Sequence, residues 1–153
     1  MDKPKNIFDK IGALIPGYGG YAERDGRRNC DKLLRVSLAD KIAAVEKVLY
    51  ERINEAIKTK DKELMRSLEA CRKQLNTFNS RVRYAPYGET SFFADGQIKE
   101  DELLNIYQLD LDLAENINVL SSKVLPADPH ELGSLTKKAK ESLEKRNSYI
   151  NEF

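Results

Sequence analysis

At 153 residues and 17.5 kDa, with 41% hydrophobic residues, the chain is sized for one domain around one core. Twenty-six Lys and Arg against 25 Asp and Glu leave a formal charge of +1, which excludes binding through a large global positive charge. With no Trp, a single His130 and two distant cysteines, classical zinc and histidine-rich sites are excluded, and neither a metal nor a cofactor is expected.

The N-terminal arm, 1–20, opens with Met1-Asp2-Lys3-Pro4, which lacks a basic segment leading into an apolar run. No stretch approaches the roughly 20 apolar residues of a membrane span, so the expected location is the cytoplasm, extending to the inner face of the membrane. Ile7, Phe8, Ile11, Leu14 and Ile15 form a short amphipathic stripe opposite Lys5, Asp9 and Lys10. Ile7, Phe8, Ile11 and Leu14 are the candidate membrane or partner face, although folding back onto the protein's own core is the favoured use of such a stripe.

Ile15-Pro16-Gly17-Tyr18-Gly19-Gly20-Tyr21 then leads into Glu23, Arg24, Asp25, Gly26, Arg27 and Arg28. Glycine-rich backbone before a helix, with arginines nearby, suits an anion because free amides and the helix dipole point at it. There is no GxxxxGK[ST] and no preceding strand, so the motif is not a phosphate-binding loop, and a structural elbow is the favoured reading.

Four long blocks of helical periodicity follow. Leu34, Leu38, Ile42, Val45, Leu49, Ile53 and Ile57 predict a helix over 21–57. Thr59-Lys60-Asp61 makes a turn in which Thr59 or Asp61 is the N-cap. Leu64, Leu68, Cys71, Leu75, Phe78 and Val82 predict a helix over 61–83. Leu103, Tyr107, Ala114, Ile117, Leu120 and Val124 predict one over 99–125, its stripe interrupted only by Asp110. Pro126 and Pro129 mark an exit and a start, and Leu132, Leu135, Ala139, Leu143, Arg146 and Ile150 predict a helix over 129–150. No run alternates with period two, so the expected fold is all-α: one antiparallel four-helix bundle with coiled-coil-like stripes spanning 1–153.

Helix length locates the ends. At 1.5 Å per residue, 21–57 spans about 55 Å and 61–83 about 35 Å, so the first helix overshoots by about 20 Å or breaks near Gly26 or Val36-Ser37. The arm, the connection 83–98 and the C-terminus then gather at one end, with His130 at the other. That connection is aromatic: Arg81, Arg83, Tyr84, Tyr87, Phe92 and Phe93 fall in a non-periodic stretch. Single-stranded nucleic acid binders mix aromatics and arginines, but on a concave sheet or groove not expected here, so nucleic acid is disfavoured and a hydrophobic plug is favoured. Tyr18, Tyr21, Arg24, Arg27, Arg28, Arg83, Tyr84 and Tyr87 meet at that end as the candidate anion or partner site.

Residues 1–60 carry 13 basic and 9 acidic groups, and 99–126 carry 2 and 6. Asp110, Asp112 and Glu115 are hard oxygen ligands, yet there is no ExxH motif for a di-metal site, and pairing with basic residues of the first half is favoured. His130 in His130-Glu131-Leu132-Gly133 lacks the H-x-L-K-G order and mid-helix position of a phosphotransfer histidine. No catalytic constellation is supported by spacing.

Two stretches carry a resemblance. Ile15-Pro16-Gly17-Tyr18-x-Gly20-Tyr21-x-Glu23 with Arg27-Arg28 and Asp31-Lys32-Leu33-Leu34-Arg35, and Arg81-x-Arg83-Tyr84-Ala85-x-Tyr87-Gly88 with Phe92-Phe93 followed by Tyr107-x-Leu109-Asp110-Leu111, resemble a family of uncharacterised small bacterial helical proteins. The resemblance covers roughly residues 11–115. It implies a bacterial cytoplasmic origin near membrane-associated scaffold proteins, and no activity or catalytic residue. The expected function is a non-enzymatic interaction or scaffold protein with a protein partner or self-association; the alternative is a small-anion sensor or enzyme using the Arg/Tyr end.

Overall fold

The computed structural model of the chain describes residues 3–94 and 96–153, and side chains from Ile7 on; Met1 and Asp2 of the arm, the Lys5 side chain and Asp95 of the connection lie outside that range. The described residues contain no strand and form five α-helices. They are α1 (Lys3–Leu14), α2 (Arg27–Lys58), α3 (Lys62–Arg83), α4 (Glu100–Lys123) and α5 (Pro129–Asn151).

Local chemistry sets the helix ends. Asp61 is the N-cap of α3, its side chain accepting the Leu64 N–H at 3.1 Å. Lys60 before it takes a left-handed φ of 60°, which turns the chain back. Glu102 accepts the Lys99 N–H at 2.8 Å at the start of α4. Asp128 caps α5 through the Glu131 N–H at 2.8 Å, with Pro129 in the first turn.

The first long helix begins at Arg27 and not at Tyr21, so the break falls at Gly26, one of the two places helix length allowed. The reason is tertiary. The Tyr21 N–H donates to the Tyr107 hydroxyl at 3.0 Å and the Tyr21 carbonyl accepts from Arg27 Nε at 2.9 Å, which takes both backbone groups out of any helical ladder. A single 3-10 turn, Arg24–Gly26, bridges to α2.

α2 packs on α3, α3 on α5, α5 on α4 and α4 on α2, while α1 lies along α4. Lys41 of α2 donates to the Leu14 carbonyl at 2.7 Å, fixing the end of α1 over the α2–α4 seam. The predicted stripes form one core: Leu34, Leu38, Ile42 and Leu49 of α2 meet Leu68, Leu75, Phe78 and Val82 of α3 and Ile106, Ile117 and Leu120 of α4, all fully buried. Each such side chain contributes about 1.5–3 kcal/mol of burial free energy. At the far end Arg52 donates to the carbonyls of Val124 and Ala127 at 2.9 and 2.8 Å, closing the α4–α5 turn, and His130 sits exposed near it.

Candidate functional site: a closed network of arginine, aspartate and tyrosine

Two charged residues lie on apolar stripes. Asp110 takes a core position of α4 and Arg146 a core position of α5, and both are fully buried. A charge desolvated this far needs a partner, and Arg146 Nε donates to Asp110 Oδ1. The other Asp110 oxygen accepts from the hydroxyls of Tyr18 and Tyr21, each at 2.6 Å.

The remaining Arg146 donors reach the N-terminal half. Nη2 donates to Asp31 Oδ1 at 2.8 Å and to the Tyr21 hydroxyl at 3.0 Å, and Nη1 donates to the Tyr87 hydroxyl at 2.6 Å. Tyr87 in turn donates to Asp31 Oδ1 at 2.6 Å, and Arg35 Nε donates to Asp31 Oδ2 at 2.8 Å. Two guanidinium groups and two carboxylates thus balance, and three phenols fill the remaining lone pairs and donors. Among the described residues no buried side-chain nitrogen or oxygen lacks a hydrogen-bond partner.

The electrostatics follow from the packing. Burial raises the Asp31 pKa, but the Arg146 charge and the hydrogen bonds from Tyr87, Arg146 and Arg35 outweigh it and hold the carboxyl below its ordinary value. Burial, which disfavours the charge of Arg146, is outweighed by Asp110, Tyr21, Tyr87 and Asp31, so its pKa rises well above normal. Burial and the Asp110 charge push the Tyr18 and Tyr21 phenols far up, and burial raises Tyr87. The buried Cys30 thiol beside them is pushed up to about 11, mainly by burial, and Cys30 and Cys71 are both free.

The eight candidate residues divide between this network and its surroundings. Tyr18, Tyr21 and Tyr87 belong to it. Arg27 is buried and donates to the carbonyls of Tyr21, Phe92, Ala94 and Gly96, so it clamps the connection to the elbow. Arg28 lies over the Phe93 ring at 5.3 Å and lines a cavity of about 710 Å³ together with Glu89. Arg24 lines a smaller cavity with Glu23 and Asp25. Arg83 pairs with Asp40 at 3.1 Å, and its carbonyl accepts from Arg35 at 2.5 Å. Tyr84 points outward, 71% exposed.

The connection is packed by Phe92 and Phe93, both buried, and by Tyr87. Thr90 donates to the Ile150 carbonyl at 2.6 Å and Ser91 to the Phe153 carbonyl, so the arm, connection and C-terminus do gather at one end. On α1, Ile11 is buried, and Ile7, Phe8 and Leu14 pack against the core, Phe8 with its ring 4.7 Å from Tyr107.

Asp110 pairs with Arg146 of the last helix, which corrects the expectation of a partner in the first half: the two stripe positions face each other across the α4–α5 seam. Asp112 instead accepts from Gln108 at 2.9 Å, and no cluster of His, Cys, Asp and Glu among the described residues could hold a metal ion. Sequence reasoning missed Asp31, Arg35 and Arg146. The signal was present for one of them, since Arg146 interrupts the apolar stripe of α5 as the oppositely charged Asp110 interrupts that of α4.

A scan of protein-family models and searches of curated proteins and of solved structures found no match to this chain.

Proposed function

We propose that the chain is a non-enzymatic interaction or scaffold domain built as an antiparallel four-helix bundle with α1 as an added helix. The antiparallel arrangement is supported across α2 and α3, where Asn76 donates to Glu46, Asn79 to the Ala39 carbonyl and Arg35 to the Arg83 carbonyl, so that rising numbers on α3 meet falling ones on α2. The single observation that carries the functional reading is the closure of the polar network. Its charges cancel and its donors are used internally, so its architecture needs no ligand to complete it.

The exposed arginines nearby support the same view. Arg28 shares its cavity with Glu89, and Arg24 shares its own with Glu23 and Asp25, so an anion would meet a carboxylate at each. Among the described residues no helix is long and apolar enough to cross a membrane. A cytoplasmic location beside membrane-associated partners, in a bacterial setting, rests on the sequence resemblance.

A thermal-shift titration with inorganic phosphate, pyrophosphate, nucleotides and divalent metals tests the proposal. No shift of the midpoint is expected. A shift that saturates and is lost in Arg27→Ala/Arg28→Ala would move the function to an anion sensor or enzyme at the arginine and tyrosine end.

A further inference from the structure

We propose that the seam between α3 and α5 is a docking groove for an acidic amphipathic helix of a partner protein. Resting on the interaction reading above, this assigns the surface and the chemistry of what it holds.

The helices pack in the ring α2–α3–α5–α4, and the two seams α2–α4 and α3–α5 lie on opposite sides of it. α1 lies beside the first, packed on α4, with Ile7, Phe8 and Ile11 in contact with the core and its end tied to α2 by Lys41. No helix of the described chain covers the second. It holds two cavities, of about 620 and 270 Å³, which lie in line along the seam with Lys140 lining both, and we take the two together as one trough.

Its floor is the buried Cys71 of α3 and Thr136 of α5. The walls above it carry small residues: Ala70 on α3 and Gly133 and Ser134 on α5 leave space for a neighbouring helix to approach, and a Cβ added at Gly133 would meet nothing within 4 Å. The trough runs from Ser67 to Arg81 along α3, about 20 Å, which suits roughly four helical turns. At one end stands Tyr84, an aromatic 71% exposed and of the type that anchors interfaces.

Charge selects the occupant. Arg81, Lys137 and Lys140 line the trough and enter none of the described ion pairs, against the single carboxylate Glu144. α3 as a whole carries six basic and two acidic residues. A second copy's α1 is a poor fit because its sequence is net basic, with three lysines against Asp9. A second copy's α4 has the right charge but keeps its apolar stripe in its own core. The complementary partner presents small apolar side chains to the floor and glutamates or aspartates to the basic rim.

The test uses the full chain and a labelled synthetic helix of about five turns, with leucine and alanine on one face and glutamate on the other, beside the same peptide with lysine for glutamate. Binding of the acidic peptide is expected, with amide shifts at Ala70, Gly133 and Tyr84, weakened about tenfold or more by Lys137→Glu/Lys140→Glu and by added salt. Ala70→Leu, which crowds the wall of the trough from an exposed position, is expected to weaken it without lowering the melting midpoint. Equal binding of both peptides, or binding unchanged in both variants, overturns the groove. So does finding that the chain self-associates through Ala70 and Gly133, or that it binds anionic vesicles there in place of the peptide. Capture of a cellular partner that survives all the groove substitutions overturns the groove while leaving the interaction reading standing. Absence of peptide binding together with absence of any cellular partner overturns both.

Discussion

Arg146 of α5 and Asp110 of α4 form an ion pair in which neither side chain is exposed to solvent. Around it, hydrogen bonds join residues far apart in the chain: Tyr18 and Tyr21 from the elbow, Asp31 and Arg35 from α2, and Tyr87 from the connection. One side chain thereby holds together the elements that have no helix–helix seam of their own. Buried pairs of this kind add little net stability over apolar packing, but removing one partner is severe.

The connection depends on Tyr87. Its hydroxyl both donates to Asp31 and accepts from Arg146. Tyr87→Phe is expected to cost about 1–3 kcal/mol, because it strands the Arg146 Nη1 donor and removes one of the two hydrogen bonds on Asp31 Oδ1. Hydrogen exchange in the segment from Tyr84 to Phe93 is expected to accelerate while the centres of α2 and α3 stay protected.

Gly20 has φ of 83°, and a Cβ there would lie 2.8 Å from the Phe8 ring and 2.8 Å from the Tyr107 hydroxyl. Gly20→Ala therefore combines backbone strain with two collisions, which the packed Phe8 ring and the Tyr107 hydroxyl must move to relieve. A loss of about 2 kcal/mol or more in urea unfolding is expected. Gly19→Ala is the control, since a Cβ at Gly19 meets nothing within 4 Å.

Acid acts through Asp31. Its pKa is lower folded than unfolded, so its stabilising contribution is present above the unfolded value near about 4 and disappears as pH falls through the folded one. The difference in melting midpoint between the wild type and Asp31→Asn is expected to be large at neutral pH and to shrink below about pH 4. Alkali acts in the opposite sense through Tyr18, Tyr21 and Tyr87, whose folded pKa values are raised. Stability is expected to fall above about pH 10, with the native tyrosinate absorbance short of that of all seven tyrosines until the chain unfolds.

The helices were legible because apolar residues recur at helical spacing. Leu64 to Val82 shows it best, its predicted 61–83 differing from the observed α3 by a single residue at the start. Tyr21 to Gly26 was misjudged because what removes it from α2 is a hydrogen bond to Tyr107, 86 positions away, and local spacing carries no trace of that. Length arithmetic rightly gathered Tyr18, Tyr21, Arg27 and Tyr87 at one end. The identity of their partners was not legible, since Asp31 and Arg35 read as solvated residues of α2 until α5 is laid beside them.

The most direct measurement is a double-mutant cycle in urea on Arg146→Met and Asp110→Leu. Arg146→Met strands the Asp110 charge, and Asp110→Leu leaves Arg146 with Asp31 as its one carboxylate and the Tyr18 and Tyr21 hydroxyls without their acceptor; each is expected to cost about 3–5 kcal/mol, and the double variant is expected to recover a substantial part of that loss. Small and additive losses would contradict the account, because they would mean that Arg146 and Asp110 do not depend on each other and that the network does not organise this end of the protein.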